Sequence, residues 1–147
     1  MTLTADDRLE ICEVIALHGH LCDAAAYGRF DEVFTPDFEV DASGLGRGPL
    51  PAGDPSRPRL EAYIAAAQRI GPGDALALHV TNVLVREDGD DARAWSKGFA
   101  VNRGGSVSSF TYEDQLVRTS QGWRIEHRKV SARREPGRGV EPCVLPA

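Results

Sequence analysis

Residues 75–86 read Ala-Leu-Ala-Leu-His-Val-Thr-Asn-Val-Leu-Val-Arg. Upstream of this stretch apolar residues recur at helical spacing; from here on they alternate with a period of two. Strand side chains point to opposite faces in turn, so His79 shares a face with Ala75, Ala77, Thr81 and Val83. Those neighbours are small. A titratable ring among them is expected to point into open space rather than a filled core.

Three further strands are expected at 91–103, 108–119 and 122–132. They are separated by Glu87-Asp-Gly-Asp90, Gly104-Gly105 and Ser120-Gln-Gly122, and turns that short force antiparallel neighbours. Before the switch, residues 4–27 read as a helix. Thr4 caps it and Asp7 stands at the capping-box position. Leu9, Val14, Leu17 and Leu21, with Ile11, Ile15, His18, Cys22 and Ala25 alongside, give it a wide apolar face, and Gly28 closes it. A helical turn at 30–34, a break at Thr35-Pro-Asp37 and a short strand at 38–41 come next. The second helix runs from Pro58 or Arg59 to Ile70, with Leu60, Tyr63, Ile64 and Ala67 on one stripe. Between them, residues 43–58 hold four glycines and four prolines and read as a long loop of the kind that forms lids. Helices first and a meander after predict an α+β domain over 1–134, followed by a C-terminal arm over 135–147.

The chain's 147 residues suffice for one core without staples. A formal net charge of −5 argues against a nucleic-acid partner. Arg128-Lys129 with Arg133-Arg134 reads as a solvated strand end. No apolar stretch approaches the ~20 residues of a membrane helix. The N-terminus lacks a basic start and an apolar block, so neither membrane insertion nor a signal peptide is expected. Cys12, Cys22 and Cys143 show no Cys-x-x-Cys spacing, which suggests free thiols in a reducing cytoplasm. A single strand histidine with scattered acids lacks metal-ligand spacing, so no metal or other cofactor is expected.

On the strand at 91–103, Arg93, Trp95, Lys97, Phe99 and Val101 face one way, and Ala92, Ala94, Ser96, Gly98 and Ala100 the other. The small face leaves room for a helix or a ligand; the large face is a candidate association surface. On the next strand Phe110, Tyr112, Asp114, Leu116 and Arg118 share a face. On the last, Trp123, Ile125 and His127 oppose Arg124, Glu126 and Arg128. Alternation alone leaves open which face of these two strands is inside.

Four segments together carry a resemblance: Tyr27-Gly-Arg-Phe-Asp-Glu-Val-Phe-Thr-Pro-Asp-Phe-Glu-Val-Asp41, Leu78-His-Val-Thr-Asn82, Tyr112-Glu-Asp-Gln-Leu-Val-Arg-Thr119 and Gly122-Trp-Arg-Ile125. Over about residues 5–132 the chain resembles the SnoaL-like branch of the nuclear-transport-factor-2-like superfamily. The resemblance implies a cone-shaped α+β barrel: three or so N-terminal helices on a curved, mainly antiparallel sheet enclosing a pocket. Asp23 and His79 are similar to the dyad of scytalone-dehydratase-like and bile-acid-dehydratase-like enzymes, where a helix carboxylate orients a strand histidine. The positions matching that fungal enzyme's two tyrosines carry Cys22 and Ala42, and the position of its second histidine carries Ser96.

What the resemblance implies is a cofactor-independent acid–base enzyme, a dehydratase, isomerase or cyclase. It would act on a small hydrophobic, polyketide- or terpenoid-like metabolite. Asp23 would orient His79, and His79 would transfer the proton. His18, Tyr27, Tyr63, Ser96, Tyr112 and Asp114 are the expected substrate-lining residues. The resemblance further implies a homodimer through the outer sheet face. The competing expectation is a non-catalytic binding or assembly module of the same fold.

Overall fold

The computed structural model describes residues 2–44 and 58–132. The expected loop over 43–58, save its ends, and the arm over 135–147 lie outside them. Helix α1 is Ala5–Asp23, a 3-10 turn covers Tyr27–Glu32, and helix α2 is Arg59–Ile70. Strands β1 (Phe34–Gly44), β2 (Ala75–Asp88), β3 (Asp91–Asn102), β4 (Val107–Thr119) and β5 (Gly122–Ala132) form one sheet in the order β1-β5-β4-β3-β2. The β2–β5 meander is antiparallel, and β1 joins β5 in parallel at the edge. The sheet is open: three helical segments pack on one face of five mostly antiparallel strands, an α+β architecture. No helix among the described residues is long and apolar enough to cross a membrane.

Helix α1 is shorter than its apolar pattern suggests. It ends at Asp23, and Ala25 turns left-handed (φ 51°). The Ala26 N–H then reaches the Leu21 carbonyl at 2.8 Å and the Ala25 N–H reaches that of Cys22 at 3.0 Å, which is a Schellman closure built on alanine. The apolar face is also narrower than expected, for Leu9 is 60% exposed. Strand β1 starts at Phe34 and runs through Pro36, where a break is expected, because an edge strand can lack one N–H donor. Its pairing with β5 is irregular between Phe34 and Glu39.

Two bulges decide which side chains face inward. On β2 the register shifts between Thr81 and Leu84, around Asn82 in the left-handed region (φ 54°), a conformation asparagine tolerates better than most residues. On β5, Gln115 pairs with His127 and Leu116 with Ile125, so Glu126 is the extra residue. Each bulge reverses the alternation beyond it. Trp123 and Ile125 face the helices, and so, after the bulge, do Arg128 and Val130.

The start of α1 is fastened to the sheet through Asp7. Its carboxylate completes a capping box, accepting from the Thr4 N–H at 2.9 Å, and also accepts from Trp123 Nε1 at 3.1 Å and from Arg118. These bonds, the Thr4 N–H first and Arg118 next, hold the carboxyl well below the usual aspartate range. A depressed folded-state value stabilises above the unfolded one, near 3.8, and that stability drains away as pH falls through the folded value. Asp7→Asn is therefore expected to lower the melting temperature by several degrees at neutral pH. The gap to wild type should narrow as pH is taken below about 4, as read by thermal denaturation followed by circular dichroism.

Candidate functional site

The inner face of the sheet carries a buried polar cluster. Asp114 on β4 and Arg128 on β5 are direct cross-strand partners, 0% and 2% exposed. Arg128 Nε and Nη2 donate to the two carboxylate oxygens at 2.6 and 2.8 Å, a bidentate pair. Its Nη1 donates to His18 Nδ1, on α1, at 3.0 Å. The guanidinium lies 3.9 Å over the Tyr112 ring. Aromatic rings fill the space around it: His18 meets Phe34 edge-on at 5.2 Å, and Tyr63 of α2 packs on Phe30, Phe34 and Phe38.

This arrangement fixes the state of His18. A guanidinium only donates, so Nδ1 must offer its lone pair, and the proton of the neutral ring sits on Nε2. Nε2 lies 3.4 Å from Cys22 Sγ and donates to it. Burial, and then the charge of Arg128, hold His18 well below the ordinary histidine value, so the ring stays neutral. Burial also pushes the Cys22 thiol up to about 11 and the Tyr63 hydroxyl to about 12, and raises Tyr112 further. None of these three is ionised at neutral pH. Ser96, cross-strand from Tyr112, is 3% exposed, and its hydroxyl has no partner among the described residues.

Beside the cluster several inward-pointing side chains are only half-buried. Leu78 and Val80 of β2 point inward by register, opposite Ala100 and Gly98, yet stay half-exposed. So do Cys22 and Ala26 near the end of α1, and Tyr63 and Ala67 of α2. Two shallow surface grooves, each of about 400 Å³, are lined by none of the cluster's residues.

Asp23 and His79 do not form the expected dyad. The Asp23 carboxylate accepts from the Leu78 N–H at 2.9 Å and so caps the backbone of β2. His79, the next residue, points to the outer face, is exposed, and stacks on Phe99 with ring centroids 4.7 Å apart. Period-two alternation holds from Ala77 to Thr81. The bulge at Asn82 then returns Val83 to the core, so Val83 does not share the face of His79. His18, Ser96, Tyr112 and Asp114 do come together on the inner face with Tyr63. Tyr27 is buried edge-on against Phe30 in the core. Arg128 is the residue that alternation hid: it belongs to the buried cluster rather than to a solvated strand end, because the Glu126 bulge turns it inward. Among the described residues no group of three or more His, Cys, Asp or Glu side chains could hold a metal.

An open mixed sheet with α1 across its concave face and a polar cluster between them is the architecture of a cone-type α+β domain. Residues 3–129 match the SnoaL-like domain family, and the chain belongs to it. It is 31% identical over 128 residues to the uncharacterized protein Rv2910c of Mycobacterium tuberculosis, covering 83% of this chain and 82% of that one. Among solved structures it is similar to an NTF2-like protein with a cystatin-like fold from Novosphingobium aromaticivorans, with TM-score 0.70, 23% identity, and 86% and 82% of the two chains covered. It is also similar to a proposed scytalone dehydratase from the same organism, with TM-score 0.66, 16% identity and 94% of each chain covered. At these identities the two structures speak to the fold.

Removing one member of a buried ion pair strands the other's charge. Arg128→Met alone is expected to cost about 3–5 kcal/mol, read from urea denaturation. Asp114→Leu with Arg128→Met, which replaces both charges by apolar groups of similar size, is expected to be neutral or stabilising.

Proposed function

We propose that this protein is a cofactor-independent acid–base enzyme, a lyase or isomerase acting on a small hydrophobic metabolite that enters between α1, α2 and β2. The observation that carries this reading is the buried Asp114–Arg128–His18 relay. Desolvating two charges is costly, and an apolar core of the same volume would serve folding as well or better. His18 is the group we assign to polarising the substrate oxygen. Arg128 fixes its tautomer with Nε2–H forward, and its neutral ring can donate a hydrogen bond to substrate oxygen without first losing a proton to solvent. The likeness to the proposed scytalone dehydratase supports the dehydratase option, with isomerisation and cyclisation as chemically related alternatives. The aromatic rings of Phe34, Tyr63 and Tyr112 favour a planar, polyketide- or terpenoid-like molecule. The unpaired thiols Cys12 and Cys22 support a cytoplasmic setting.

The test is a panel of small hydrophobic hydroxyketones and enones in deuterium oxide, followed by mass spectrometry for loss of water or gain of deuterium. Wild type is expected to turn over at least one member, and His18→Ala to lose roughly 10²-fold or more of that rate. Full turnover in His18→Ala would sink the assignment. Binding of panel members without any turnover would favour a non-catalytic binding module.

We also propose a homodimer through the outer face of the sheet. Trp95, Phe99 and Val101 lie there half-exposed, and Val107 is 61% exposed. Apolar groups gathered on one sheet face favour a self-complementary partner. Equilibrium sedimentation at micromolar concentration should give twice the monomer mass, and Trp95→Glu should return the monomer; a wild-type monomer would refute it.

A further inference from the structure

Arg128 has hydrogen-bonding capacity that the protein does not use. A guanidinium carries five N–H bonds. Three are committed, two to Asp114 and one to His18 Nδ1. That leaves one on each terminal nitrogen with no acceptor among the described residues. At 2% exposure these donors have no bulk water to turn to, and an unmet buried donor is costly. The Ser96 hydroxyl, on the same inner face, is a second buried group without a partner.

The pair's orientation adds direction to this capacity. Asp114 is fully buried behind the guanidinium, while Tyr112 lies under it and His18 beside it. The guanidinium therefore turns the positive end of the ion-pair dipole toward the rings of His18 and Tyr112. A fixed dipole of this kind, already oriented in a dry site, stabilises negative charge on an oxygen placed before it.

We propose that the free N–H edge of Arg128 is a seat for an anionic oxygen on a planar conjugated ligand, of phenolate or enolate type. This narrows the substrate of the acid–base reading above, on which it rests, to molecules whose oxygen becomes anionic while the adjoining carbon skeleton stays flat. Tyr63, half-exposed beside the cluster, offers a planar ring bearing such an oxygen a face to stack on. Carboxylates are a poorer fit, because Asp114 already occupies the bidentate edge that matches them.

The probe is 4-nitrophenol, whose visible absorbance reports its ionisation directly. Titrated across pH in the presence of the full chain, its bound form is expected to ionise at least one pH unit below its free value. This corresponds to a preference of tenfold or more for phenolate over phenol. Asp114→Leu with Arg128→Met, which keeps the core filled, should abolish that shift while retaining the circular dichroism spectrum. No binding up to millimolar 4-nitrophenol, an unshifted or raised ionisation, or a shift that survives in the folded double variant would each overturn the proposal. Turnover of the ketone panel without phenolate preference would remove the seat and leave the acid–base reading standing. Phenolate preference without turnover would do the reverse.

Discussion

The buried Asp114–Arg128 pair is the constraint around which the interior is organised. Two charges removed from water must recover their hydration from each other, and only close, well-aligned contacts do so. Here the cost is met by cross-strand register, which sets the two residues opposite one another on β4 and β5. It is met further by the bidentate geometry and by the Tyr112 ring against the guanidinium face. The same guanidinium reaches His18 on α1, so the pair joins helix to sheet as well as strand to strand. A buried cation also explains why His18 is neutral: a second positive charge beside it in a dry interior would be strongly disfavoured.

That constraint depends in turn on a single extra residue. Without the Glu126 bulge, Arg128 would continue the alternation of Arg124 and point away from the helices, and Asp114 would be buried without a counter-charge. The bulge in β2 does comparable work at the far side of the sheet. It lets His79 and Thr81 face outward while Val83 and Val85 still enter the core. Bulges of this kind increase local twist and re-aim side chains. Gly19 contributes a different sort of fit. A Cβ there would stand 2.8 Å from the Leu78 carbonyl oxygen, so its absence lets α1 approach β2 closely enough for Asp23 to cap the strand.

The elements were legible in the sequence because each is dictated by local chemistry. The Thr4–Asp7 capping box, the period-two runs and the glycine turns all fall where their residues place them. The inner lining was legible in part. His18, on the apolar stripe of α1, and Ser96, on the small face of β3, are buried as their positions imply. Arg128 and Val83 were misplaced for one shared reason. Alternation is a rule about neighbours, and it fails wherever one residue is inserted. At Asn82 a signal existed, since asparagine is among the few residues that sit readily in the left-handed region. At Glu126 none did: nothing in Ile-Glu-His-Arg marks an extra residue, and only the pairing with β4 reveals it. The parallel docking of β1 on β5 is likewise a long-range outcome that no local pattern specifies.

Comparing two of the polar joints between α1 and the sheet separates architecture from chemistry. Asp7 is saturated: one oxygen accepts from the Thr4 N–H and hydroxyl, the other from Arg118 and Trp123, and Arg118 itself packs over the Trp123 ring. Both carboxylate oxygens of Asp7 have their partners within the protein, as expected of a purely structural joint. The Asp114–Arg128–His18 relay is equally well held at its back but incomplete at its front. Two guanidinium N–H bonds and the nearby Ser96 hydroxyl have no partner among the described residues, and His18 has only a thiol at Nε2. A fold that can satisfy Asp7 so fully has the means to satisfy Arg128 as well, with one more side-chain acceptor. That it leaves buried donors unmet beside the half-exposed side chains of Cys22, Tyr63 and Leu78 is the feature that marks this cluster, rather than the Asp7 joint, as the place where another molecule is completed.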